Sequence, residues 1–110
     1  MDIAWNNPTH FAQPAGASAA DAIIATCLAA AAQGDAGAYF DLGVLYSTDD
    51  TTMPTDLVEA HKWFNLAASQ GHEEAAVLRA ELAEEMTARE IAEAQRRARQ
   101  WLATITRRAA

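Results

Sequence analysis

Two stretches of the chain repeat each other at a fixed distance. "AAAQGDAGA" (30 to 38) and "AASQGHEEA" (67 to 75) match at Ala30/Ala67, Ala31/Ala68, Gln33/Gln70, Gly34/Gly71 and Ala38/Ala75, always 37 residues apart. Each copy reads as a helix end, a glycine turn and a new helix start. A self-similar helix–turn–helix of that length cannot bury its apolar face alone, so it stacks on its neighbours. This constrains the fold more than any other feature.

The rest of the chain agrees. Alanine is abundant, and half of the 110 residues (51%) are apolar, which favours closely approaching helices. Ser18 with Asp21 starts a first helix over about 19–33, with an apolar stripe of Ile23, Ile24, Cys27, Leu28 and Ala31 ended by Gly34. Asp35 caps a second over about 35–47, with Ala38, Leu42, Leu45 and Tyr46 inward. Gly43 interrupts that helix at a cost of about 1 kcal/mol relative to alanine, a sign that another backbone passes close by. After the polar loop "STDDTTMPT", Asp56 and Glu59 form a capping box for a third helix that runs to Gln70 and is closed by Gly71. A fourth follows over about 72–85. Thr87 and Glu90 form a second box at the head of a fifth, about 88–107, striped by Ile91, Ala94, Ala98, Trp101, Leu102 and Ile105. Residues 1–17 read as irregular, although Trp5 and Phe11 suggest a segment that docks on the domain. No strand is expected.

"DLVEAHKWFNLAASQG" (56 to 71) combines the bulkiest and smallest apolar residues. Alanines at 60, 67 and 68 let a neighbouring helix come near, while Trp63 and Phe64 fill the space beside that contact. Residues 38 to 72 resemble a Sel-1-like repeat, a relative of the tetratricopeptide repeat. The resemblance rests on Ala38, Leu42, Gly43, Leu45 and Tyr46, then Asp56, Ala60, Trp63, Ala67, Ala68, Gln70 and Gly71. It implies an all-α fold: a short right-handed α-solenoid of antiparallel helix pairs, about five helices, with a C-terminal capping helix. One domain then spans 18–110, with a full repeat at about 38–72 and a degenerate capping unit at about 73–107. The loop after Tyr46 departs from the family pattern, carrying Asp49, Asp50 and Thr51 in place of glycines, as does Arg79 where a leucine is usual.

Chemistry-bearing patterns are sparse. His10, His61 and His72 have no ligand-spaced partners, and the single cysteine, Cys27, is flanked by apolar residues. His72 reads as a solvated turn residue. Asp49 and Asp50 lack the alternation of a calcium loop. Glu73-Glu74 and Glu84-Glu85 are adjacent and so diverge on a helix. No catalytic residue, cofactor site or metal site is expected. The net charge of −7 argues against nucleic acid. Its distribution is uneven: residues 1–95 set 15 acids against Lys62, Arg79 and Arg89, a balance of −12, while residues 96–110 hold five arginines and no acid, +5. No run of about 18 apolar residues suggests a membrane span. The opening stretch lacks a basic region before an apolar run, so no secretory leader is expected and the cytoplasm is the expected compartment.

The expected function is a protein–protein interaction module or adaptor, bacterial by resemblance, that assembles a regulatory or signalling complex. A partner peptide or helix is expected on the concave helical surface at Tyr39, Phe40, Val44, Val77 and Glu81. The alternative is a self-associating structural or regulatory subunit, such as a homodimer, acting through its solenoid ends with no separate groove.

Overall fold

The computed structural model describes residues 19–49 and 54–109. Segment 1–17 with Trp5 and Phe11, the Ser18 cap, and Asp50 and Thr51 of the loop lie outside the described residues. The described chain is all helical: α1 (Ala19–Ala31), α2 (Ala36–Ser47), α3 (Leu57–Ser69), α4 (Glu73–Ala83) and α5 (Ala88–Ala109).

The helix ends follow from local chemistry. The Asp35 side chain accepts from the N–H groups of Gly37 and Ala38 at the head of α2, and Asp56 accepts from that of Glu59 at the head of α3. Gly34 and Gly71 turn the chain with φ of 81° and 92°, a region closed to most L-residues. Thr87 and Glu90 exchange two hydrogen bonds, 2.8 and 3.1 Å, at the start of α5. The expected box at α3 is only half formed. Asp56 N–H donates instead to the Tyr46 carbonyl at 2.9 Å, closing the loop between α2 and α3, and the Glu59 carboxylate is used elsewhere.

Helix α3 is the centre of the packing. It lies against α2, α4 and α5, whereas α1 packs on α2. Its apolar positions Ala60, Trp63, Phe64, Leu66 and Ala67 are all buried. Ala60 and Ala67 present no bulk, so the neighbouring helices close on α3 while the rings of Trp63 and Phe64 fill the seam. Trp63 stacks on Tyr39 of α2 (centroids 5.8 Å) and meets Trp101 of α5 edge-on (4.9 Å). Trp101 Nε1–H donates to the Tyr39 hydroxyl at 3.1 Å, so three rings from three helices form one closed unit. Helix α5 packs along α3 and reaches the α1–α2 turn, where Ile105 and Thr106 approach Gln33 and Gly34. Ala94 and Ala98 are buried in this contact, while Leu102 of the same expected stripe is 41% exposed.

Four expectations need correction. Tyr39, expected on the outward face, is fully buried, because the ring pair with Trp63 and the hydroxyl bond to Trp101 draw it inward. Leu45 is only half-buried and lines a surface groove, while half-buried Tyr46 packs against the core; the fully buried face of α2 is Ala38, Tyr39, Leu42 and Gly43. The close neighbour of Gly43 is a ring and not a backbone: a Cβ there would lie 2.5 Å from two carbons of Phe64. His72, expected as a solvated turn residue, caps α4 by accepting the Ala75 N–H at 3.1 Å and stacks on Phe40 at 4.4 Å.

The Phe64 contact sets a measurable sign. Alanine at an exposed helical glycine would gain about 1 kcal/mol, but overpacking a buried seam costs about 1–3 kcal/mol. Gly43→Ala is expected to destabilise by about 1–2 kcal/mol in denaturant unfolding, and to be neutral or stabilising when Phe64 is replaced by leucine. Equal costs in both backgrounds would contradict the contact.

Candidate functional site

The site is an apolar groove between α1 and α2. Ile23 and Cys27 stand one turn apart on α1; Phe40, Asp41, Val44 and Leu45 face them from α2, enclosing about 320 Å³. Ile23 is 50% exposed and Val44 38%. Burial, then the nearby Asp41 carboxylate, push the Cys27 thiol above its usual pKa. The thiol therefore stays protonated and serves as a small apolar wall, not a nucleophile.

The structure separates the expected contact residues. Phe40 and Val44 line the groove, and Tyr39 is buried beneath it. Val77, 56% exposed, and Glu81 stand one turn apart on α4 and do not line it. Ile23 and Cys27 were expected inside the α1 stripe. Only Ala31 of that stripe is buried; Ile24, Cys27 and Leu28 are half-buried against the core, and Ile23 is left in the open.

A polar groove lies elsewhere on the bundle, between α3 and α5, with Trp101 in its wall. Glu59 organises it. Its carboxylate accepts from Trp63 Nε1 at 3.2 Å and Arg97 Nη1 at 2.8 Å, and lies 3.6 Å from Lys62 Nζ. The Lys62 ammonium sits 4.2 Å from the centre of the Trp63 ring. Burial pulls its pKa below the usual value, and Glu59 opposes that shift. Glu93 accepts from both Arg96 and Arg97, and these bonds hold its carboxyl down to about 2.

The remaining titratable group of interest is His61, which is buried with its Nδ1 unpartnered among the described residues. Among those residues no group of three or more His, Cys, Asp or Glu is placed to hold a metal ion, and no helix is long and apolar enough to cross a membrane. Comparison with protein-family models, curated proteins and solved structures finds no match to this chain.

Burial, then the Arg79 guanidinium, lower the His61 pKa below 6.5. The unfolded chain then binds the extra proton more readily, so stability is fully present above about pH 6.5 and falls on acidification through that value. His61→Leu is expected to remove this part of the pH dependence. It should also raise stability by about 1 kcal/mol, because the orphaned buried nitrogen is lost. Thermal unfolding of both proteins between pH 5 and 8 tests this; superimposable pH profiles would rule it out.

Proposed function

We propose that the chain is a protein-interaction module, a short right-handed solenoid unit of the Sel-1-like kind that takes an apolar helix or peptide of a partner in the α1–α2 groove. The observation that carries this reading is the groove itself. Ile23 and Val44, half exposed on facing helices, line it together with Phe40, Leu45 and Cys27. Apolar side chains gathered in one concavity favour a cover, and each one fully buried contributes about 1.5–3 kcal/mol. The repeated turn at Gly34 and Gly71 and the close packing of α2 on α3 support the solenoid part of the reading. The module works by binding and not by catalysis, in the cytoplasm of a bacterial cell, as an adaptor in a regulatory or signalling complex. Apolar Ile23 on α1 and Leu102 on α5 favour a second reading, in which these surfaces join copies of the chain. Sedimentation at micromolar concentration decides that reading, and a monomer removes it.

The test of the first reading uses Ile23→Lys/Val44→Lys. Both residues are partly exposed, so the variant should keep its helical circular dichroism. Capture from the native cell is expected to retain a partner on the wild-type protein and to lose it on the variant, with affinity reduced about tenfold or more. The same partner held equally well by the folded variant would contradict the proposal.

A further inference from the structure

The groove between α3 and α5 has the opposite chemistry to the apolar one. On α5, Arg96, Gln100, Ala103 and Arg107 recur at steps of four, three and four, all four lining the groove and all exposed. Such steps trace one straight stripe. Its ends are about 16 Å apart at ~1.5 Å per residue. Lys62 faces the stripe from α3, and the space between is about 720 Å³. Four cations (Lys62, Arg96, Arg97 and Arg107) meet two carboxylates (Glu59 and Glu93), leaving +2 in the groove of a chain whose net charge is −7.

The donors are only partly used. Arg96 spends Nε and Nη2 on Glu93, and Arg97 spends Nε on Glu93 and Nη1 on Glu59. Their remaining N–H groups face no acceptor among the described residues, and Arg107 has no ion-pair partner among them. The two carboxylates thus hold Arg96 and Arg97 in place before any ligand arrives, which reduces the ordering cost of binding.

We propose that this groove binds an extended acidic peptide segment, one carboxylate on Arg96 and another on Arg107, the chain between them passing over Gln100 and Ala103. The span matches about five residues at ~3.3 Å each, which a single small anion cannot bridge. The surroundings favour a peptide over nucleic acid. A phosphate backbone carries a charge at every residue and would set some of them over Glu59 and Glu93, whereas a peptide can pass neutral groups there. The proposal concerns a different face from the apolar groove and stands or falls separately from it.

Fluorescence polarisation with labelled hexaglutamate, hexalysine and a single-stranded RNA hexamer at low salt tests it. Saturable binding of hexaglutamate is expected, weakened by added salt. Arg96→Gln/Arg107→Gln should weaken it about tenfold, and Ile23→Lys/Val44→Lys should leave it unchanged. Arg107→Gln alone, which breaks no ion pair among the described residues, should give part of the loss. Absence of saturable binding up to millimolar protein would overturn the proposal. So would binding indifferent to the arginine substitutions, or tighter binding of the RNA.

Discussion

Trp63 cannot be covered by any one helix. Its ring stacks on Tyr39 of α2 and receives the edge of Trp101 of α5, and its Nε1–H is satisfied by Glu59 one turn earlier on α3. Burying both sides of so large a ring requires all three helices to be in place together. The alanines of α3 make that possible by letting its neighbours close in, and Gly43 makes room for Phe64 on the adjoining turn. Among the described helices α1 packs chiefly on α2, with the end of α5 near the turn that follows it. That position leaves one side of α1 open, and the apolar groove follows from it.

The helices around this unit carry two surfaces of contrasting chemistry. In one, Ile23, Phe40 and Val44 line an apolar concavity; in the other, Lys62 and the arginines of α5 line a cationic one. The charge asymmetry of the chain acquires a physical meaning here. The arginines of the basic C-terminal segment do not all point into water: Arg97 is tied to Glu59 of α3 across the helix interface, so part of the charge contrast holds α5 on the bundle. Exposed pairs of this kind contribute little each, and the ring contacts and buried alanines of α5 carry most of the attachment.

The five helices of the described residues, most of their ends and the pairing of small with large residues on α3 were legible in the sequence, because caps, glycine turns and 3.6-residue spacing are local signals. What misled was the outward face of α2. Tyr39 and Phe40 are adjacent, and only the identity of the third partner, Trp101, 62 residues away, decides that Tyr39 turns inward. The role of His72 was missed for a similar reason: an imidazole as a helix cap is uncommon, and its stacking on Phe40 depends on tertiary placement. The basic stripe on α5 was visible as composition but not as a groove, since its second wall is Lys62 and Glu59 on α3.

The central claim is that α3 is the element the others depend on. Native-state hydrogen exchange measures this directly. Amides in the middle of α3, from Ala60 to Ala67, should exchange only through global unfolding, while those of α1, held chiefly by α2, should exchange through a smaller opening of lower free energy. If the α3 amides exchanged as readily as those of α1, the account of a ring-filled, alanine-lined hub would be wrong.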